Sequence, residues 1–385
     1  MNDKFPRGRT AIVGTATFGI GESASGLDSI DMAVCASLKA LKMANLQPKD
    51  VDGLFVCLPS DFLSGLSVSE YLGIQPRFTD NNRTGGSAFI SHIQTAALAL
   101  DAGQCDVALI CYGSNQRTGA GKLVSAQKQS YFEAMYKPVM PVSAYALAAA
   151  RHMYEFGTTR EQLAEVAVAA RKWAQKNPDA FARDELTIAD VLGARMVANP
   201  LSVRDCCLVT DGAAAIVMTR ADRARDLSTN PAFVLGAAAA TTHLNITAMP
   251  NLTVTAAVQS GARAFAQAGV TVRDIDVAEL YDAFTINTIL FLEDLGFCKK
   301  GEGGAFVAGG RIAPGGELPI NTNGGGLSCV HPGMYGLFTV VEACQQIMGL
   351  AGERQVPGAR LGLAHGNGGT LSSQATTILG TRETL

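Results

Sequence analysis

Two side chains in the stretch Asn321-Thr-Asn-Gly-Gly-Gly-Leu-Ser-Cys-Val-His331-Pro-Gly-Met-Tyr335-Gly336 are suited to moving protons. An imidazole exchanges protons near neutral pH, and a phenol, with an unperturbed pKa near ~10, does so when neighbours stabilise its anion. The glycines and Pro332 fix the backbone here and deliver both groups to the start of the apolar run Leu337-Phe338. A third candidate, His365, follows the strand-like Leu361 to Ala364 and precedes the glycine run Gly366-Asn-Gly-Gly369. That run lacks the lysine and Ser/Thr of a phosphate loop, so His365 reads as a proton carrier or as a structural hydrogen-bonding group. A corresponding glycine turn stands in the N-terminal half, Asn82-Arg-Thr-Gly-Gly-Ser87, where only Thr84 and Ser87 offer a nucleophile. A hydroxyl there needs a positioned base, and His331 is the available one.

The elements that must position these groups are legible as a repeat. Ala44-Asn-Leu-Gln-Pro-Lys-Asp-Val-Asp-Gly-Leu-Phe-Val56 aligns without a gap on Ala268-Gly-Val-Thr-Val-Arg-Asp-Ile-Asp-Val-Ala-Glu-Leu280, each ending a helix and opening a strand. Likewise His92 to Ala102 with Asp106 to Tyr112 matches Phe338 to Leu350 with Ala359 to Ala364. Each half reads strand, helix, strand, glycine turn, helix, strand, an α/β alternation with buried strands. The expected division is 1–232 and 233–385, the two halves packing through their central helices. Between the repeats lies an insertion, about 115–205, strongly helical around Thr159 to Lys176. It is suited to contacting a substrate or to packing a dimer.

A chain of 385 residues, 48% hydrophobic, has apolar surface enough for a large core. Its net charge of −3 and the absence of Lys/Arg runs argue against nucleic acid and membrane surfaces, leaving a small-molecule substrate as the expectation. No apolar run reaches the ~18 residues needed to span a bilayer, the N-terminus shows no signal pattern, and Glu383-Thr-Leu385 is no peroxisomal address. Nine cysteines in apolar runs read as reduced, buried small hydrophobes of a cytoplasmic protein; Cys206-Cys207, without CxxC spacing, reads as structural. His92, His152 and His243 read as packing or surface residues.

The order of motifs resembles the thiolase superfamily, in its sterol-carrier-protein-type branch. Asp211-Gly-Ala-Ala-Ala-Ile-Val217 after Cys206-Cys207, and His152-Met-Tyr-Glu-Phe-Gly-Thr158, look like segments of that branch. Asn321 to Gly336 resembles its Asn-x-Asn-Gly-Gly…His-Pro motif. Tyr281-Asp-Ala-Phe284 resembles its Asn-Glu-Ala-Phe or His-Asp-Cys-Phe motif, and His365-Gly-Asn-Gly-Gly369 its Cys-x-Gly-Gly-Gly motif. The resemblance spans nearly the whole chain. It implies a thiolase fold, two pseudo-twofold βαβαβ-type halves packed as a five-layer αβαβα core.

Thiolases make or cleave acyl-CoA through an acyl-cysteine, and this sequence departs from them at both sulfurs. The nucleophile position falls on Gly86, beside Ser87; the second cysteine is replaced by His365, and the motif Asn or His by Tyr281. Without an acyl-enzyme, a thioester enolate can still be stabilised by hydrogen-bond donors. A β-hydroxyacyl-CoA releases that enolate directly when its hydroxyl is deprotonated. The pattern resembles the cysteine-lacking aldolases of steroid side-chain degradation, often called lipid-transfer proteins. That resemblance implies Tyr281 and Tyr335 as an acid/base pair on the β-hydroxyl, with His331 holding or protonating the enolate and His365 as a neighbour. It implies a bulky, steroid-like acyl group cleaved to a ketone or aldehyde plus a short acyl-CoA, with coenzyme A entering as substrate and no cofactor or metal. It further implies a homodimer and a small companion of OB-fold and zinc-ribbon type. An acyltransferase using Ser87 or Thr84, and a non-catalytic acyl-CoA- or lipid-binding subunit, are the alternatives.

Overall fold

The computed structural model describes residues 5–120 and 131–385. The N-terminal half opens with strand β1 (Thr10–Gly21) and helix α1 (Ser29–Met43), whose first turn Asp28 caps by accepting from the Ile30 and Asp31 N–H groups. Then follow β2 (Gly53–Val56), α2 (Ser64–Leu72), β3 (Phe78–Asp80), α3 (Ala88–Asp101) and β4 (Val107–Ser114). Helices α4 (Tyr131–Ala134), α5 (Val142–Phe156), α6 (Arg160–Gln175) and α7 (Ile188–Leu192) come next, with the short pair β5 (Met196–Ala198) and β6 (Leu201–Ser202). Strand β7 (Asp211–Arg220) and α8 (Ala221–Leu227) precede the second half.

That half repeats the pattern with β8 (Ala232–Thr241), α9 (Ala257–Ala268), β9 (Val277–Leu280), α10 (Thr285–Asp294), α11 (Gly303–Val307), α12 (Gly336–Met348), β10 (Leu361–Gly368) and β11 (Ser373–Gly380). The strands run in the order β3-β2-β4-β7-β1-β8-β11-β10-β9, and the halves join through Ala11 opposite Phe233 and Ile12 opposite Ala232. Strand β2 is parallel to β3 and β4, as β9 is to β10, whereas β7, β1, β8 and β11 pair antiparallel. In place of a second β3, Ile320 makes a lone parallel bridge to Ala278.

Helices α3 and α12 touch each other and strands of both halves, so they form a central layer. Helix α1 covers β1, β4 and β7 from outside, and α9 covers β8 and β11. Five layers result, α, β, α, β, α. Strands covered on both faces cannot alternate with polar residues, which is why β4 and β7 read as continuous apolar runs.

The expected helix around Thr159 to Lys176 is α6. Thr159 caps it, bonding the Gln162 N–H at 3.3 Å while Gln162 returns a bond to the Thr159 N–H at 3.0 Å. All nine cysteines are free thiols, but Cys35, Cys206, Cys207 and Cys298 are half-buried, which corrects the expectation of uniform burial. No helix among the described residues is long and apolar enough to cross a membrane.

Candidate active site

Both glycine turns open a central helix. Gly85–Ser87 leads into α3, and Gly333 to Tyr335 into α12. They meet where Gly336 packs on the carbonyl of Gly86, so closely that a Cβ on residue 336 would overlap it. Glycine is required there because two backbones occupy the space of a side chain.

The turn carrying His331 is held from several sides. The Tyr112 hydroxyl donates to the Pro332 carbonyl and accepts the Met334 N–H at 3.2 Å. Thr210 Oγ1 accepts the His331 N–H at 2.9 Å, and the Gln116 side-chain amide donates to the His331 carbonyl at 3.0 Å. Asp282, beside Tyr281, takes the Gly326 and Leu327 N–H groups at 2.6 and 3.3 Å, tying the two motif loops together. Burial pushes the Asp282 carboxyl up to about 7, against the opposing pull of those donors.

Tyr281, His331 and Tyr335 form one cluster of rings. Centroids lie 5.5 Å apart for Tyr281 and His331, 5.5 Å for Tyr281 and Tyr335, and 6.1 Å for His331 and Tyr335. They are 4%, 7% and 0% exposed, so water has little access to them. The Tyr281 hydroxyl donates to the Gly333 carbonyl at 3.3 Å and accepts the Tyr335 N–H at 3.1 Å; the Tyr335 hydroxyl donates to Asn323 Oδ1 at 3.1 Å. His331 Nε2 is buried without a hydrogen-bond partner. Burial drives both phenols well above their usual range and His331 down to about 4. At neutral pH the cluster therefore holds two protonated phenols and a neutral imidazole with an unused ring nitrogen.

Position 86 has no room for a side chain. A Cβ built there would overlap Cε2 of Tyr281 and stand 2.7 Å from the Asn367 carbonyl. The phenol ring thus occupies the volume that a side chain at position 86 would need. Ser87 points elsewhere: its hydroxyl bonds Thr84 at 3.1 Å and Ser373 at 2.9 Å.

His365 stands apart from the three rings. Its Nδ1 is 2.9 Å from Thr376 Oγ1, its Nε2 is 3.0 Å from Gln374 Oε1, and its ring packs on Phe291. The Gln374 amide donates to Asn367 at 2.7 Å, so its oxygen faces His365, which must then be protonated on Nε2. The chain runs on from Asn367 Nδ2 to the Tyr145 hydroxyl at 2.8 Å, and from there to the Gly369 carbonyl at 3.0 Å. Tyr145, stacked on Phe284 at 4.3 Å, brings a third phenol from α5 to the edge of the site. Sequence reading missed Tyr145, Asn367 and Asn323. Asn323 and Asn367 lay inside quoted motifs, but nothing in the pattern around Tyr145 marked it.

This architecture and this glycine-turn site define a thiolase-superfamily protein. A family model described as "Thiolase C-terminal domain-like" matches residues 238–381. The chain is 35% identical over 364 residues to an acetyl-CoA acetyltransferase of Methanothermobacter thermautotrophicus, covering 90% of this chain and 93% of that one. It is 36% identical to a 17-hydroxy-3-oxo-4-pregnene-20-carboxyl-CoA lyase of Mycobacterium tuberculosis, covering 89% and 92%. Among solved structures, the Ltp2-ChsH2(DUF35) aldolase matches with a TM-score of 0.87 and 31% identity, over 97% of this chain and 98% of that one. The chain belongs to the thiolase superfamily, within its sterol-carrier-protein-type thiolase-like branch and close to the cysteine-lacking steroid side-chain aldolases.

Proposed function

We propose that this chain is an enzyme acting on acyl-CoA, and specifically a lyase that splits a β-hydroxyacyl-CoA by retro-aldol cleavage into a ketone or aldehyde and a short acyl-CoA. One observation carries the reading: the Tyr281 ring stands where a side chain on Gly86 would stand, so a phenol replaces the acyl-accepting thiol. Similarity to a lyase and to an aldolase supports it. Similarity to the pregnene-carboxyl-CoA lyase supports a steroid-like acyl group.

The proposed proton path closes on the cluster. The Tyr281 hydroxyl turns from the Gly333 carbonyl to the free nitrogen of His331 and passes it a proton as the β-hydroxyl gives its own to the Tyr281 oxygen. The Cα–Cβ bond breaks, its electrons entering the thioester enolate, and the imidazolium of His331 returns the proton to Cα. A buried phenol that exchanges one proton for another never has to exist as a free phenolate. Tyr335, whose single proton rests on Asn323 Oδ1 before substrate binds, turns that proton to a substrate oxygen on which charge develops. His365, with both nitrogens engaged, is assigned to holding the Gln374–Asn367–Tyr145 chain.

Release of short acyl-CoA from a β-hydroxyacyl-CoA by the purified protein tests this. Tyr281→Phe and Tyr335→Phe are each expected to lower kcat roughly 10²–10⁴-fold. Full activity in both variants sinks the mechanism. A covalent acyl adduct, seen as a mass shift after incubation with acyl-CoA, favours the acyltransferase reading instead.

A further inference from the structure

Behind the Tyr335 phenol, the loop from Asn321 to Gly325 rests on a buried polar cluster that the proposed proton path does not use. Thr322 Oγ1 lies 2.8 Å from Glu279 Oε1, 2.7 Å from Glu342 Oε1 and 2.9 Å from Gln346 Nε2. The Gln346 amide can only donate to that oxygen. A hydroxyl has a single proton, so two ionised carboxylates cannot both accept from it. One glutamate must itself carry a proton and donate.

The surroundings decide which. Arg354 forms a two-pronged ion pair with Glu342, with Nε and Nη2 at 2.9 and 3.0 Å from its two oxygens. Glu279 has no such cation: its Oε2 has no partner, and the residue is wholly buried. The proton therefore sits on Glu279, which gives it to Thr322, while Thr322 gives its own to Glu342. Burial and the charge of Glu342 both push the Glu279 carboxyl well above the usual carboxylate range.

The order set at Thr322 reaches the phenol through the next residue. Asn323 Oδ1 accepts both the Gly325 N–H at 2.7 Å and the Tyr335 hydroxyl at 3.1 Å. On the other side, Asn321 Oδ1 accepts the N–H of Leu280, the residue after Glu279, at 2.7 Å. A cavity of about 40 Å³ lined by Asn323, Glu342, Arg354 and Asp179 is large enough to admit water to the outer side of the cluster.

We propose that Glu279 is a positioning residue: as a carboxylic acid donating to Thr322, it seats the Asn321–Gly325 loop so that Asn323 fixes the hydroxyl of Tyr335. The functional part of this rests on the role assigned above to Tyr335. Ionising Glu279 leaves two anions to share one hydroxyl proton, removes a hydrogen bond and adds repulsion, so the loop loosens and Tyr335 loses its fixed acceptor. The charged and titratable groups facing Glu279 are Glu342 from α12, Arg354 from the turn after it, and the Tyr335 phenol. Strand β10 presents Ala364 beside it.

Glu279→Gln, which keeps a donor without the charge, provides the test. Because the folded carboxyl titrates above its unfolded value, the stability it contributes is complete below the ordinary glutamate pKa and is lost as pH rises. Melting temperature should therefore show a gain of Glu279→Gln over wild type that widens from about pH 4.5 to about pH 8. Cleavage activity of the variant should persist to higher pH than that of wild type. A gain that does not change with pH, or an unshifted alkaline limb, overturns the proposal. Where the variant does not fold, wild-type protein carrying isotope-labelled glutamate should show a protonated-carboxyl infrared band at about pH 8, and its absence overturns the proposal equally. Full activity in Tyr335→Phe would instead remove the role assigned to Tyr335, leaving the melting and infrared results to judge Glu279 alone.

Discussion

At Gly86 the lack of a side chain and the buried phenol of Tyr281 are one steric fact. Gly86→Cys is expected to destabilise the protein by about 1–3 kcal/mol, since the new side chain must displace the Tyr281 ring from a packed core. It should give no acyl-enzyme, as intact-protein mass after incubation with acyl-CoA will show. Histidine protonation supplies a second expectation. Burial holds His92 down to about 3 and His331 and His365 to about 4, against roughly 6.5 for an unfolded imidazole. Below that value the unfolded chain binds protons that the folded chain refuses, so stability is lost as pH falls from roughly 6.5 towards 4. Melting temperature should drop steeply across that window, and His365→Gln should make the slope shallower. Chemistry at this scale was only partly legible. His331, Tyr335 and Tyr281 stood out because glycine turns and motif positions singled them out, and the structure brings their rings together. That Tyr281 fills the space beside Gly86 was hidden, because it depends on contact between residues of opposite halves.

Helix α6 shows how an element outside the repeat serves the site. Gly324, at φ +103°, lets the motif loop press on α6, where a Cβ would come within 2.6 Å of Ala174. Asn177, just past the helix end, donates to the Asn323 carbonyl at 2.9 Å, and Arg171 donates to Ser328 at 3.0 Å. Thr159→Ala should cost about 1 kcal/mol by removing the N-cap, measurable by denaturant unfolding. A similar buttress joins α5 to α10, where His152 bonds Glu293 at 3.0 Å and Thr158 at 2.8 Å. Helix α6 was readable because a capping threonine and a 3.6-residue apolar period are local signals. Tyr145 on α5 was not, since its partner Asn367 is 222 residues away and its own neighbourhood is plain alanine-rich helix. His365 was singled out in the sequence but its partners were not, since only the pairing of β10 with β11 sets Thr376 and Gln374 beside its ring.

For the whole molecule, the repeat read from sequence supplies the division we propose, 1–232 and 233–385. Large apolar side chains stand exposed in the single chain, among them Phe62, Tyr131, Phe132, Met135 and Tyr136. Such surface is what association covers, and we propose a homodimer with a small OB-fold and zinc-ribbon companion; the likeness to a structure described as the Ltp2-ChsH2(DUF35) aldolase supports a companion protein. Co-expression with such a companion should raise soluble yield and cleavage activity and give a larger native mass; an active, monodisperse lone chain would count against it. The contacts of Gly86 with Gly336 and with Tyr281 also order the histories open to this protein. Placing a thiol at 86 while tyrosine remains at 281 brings steric damage, and shrinking 281 first forfeits the phenol on which the lyase reading we propose depends. On that reading either single substitution crosses a fitness valley, so the crowding of two glycine turns against one ring acts as a ratchet.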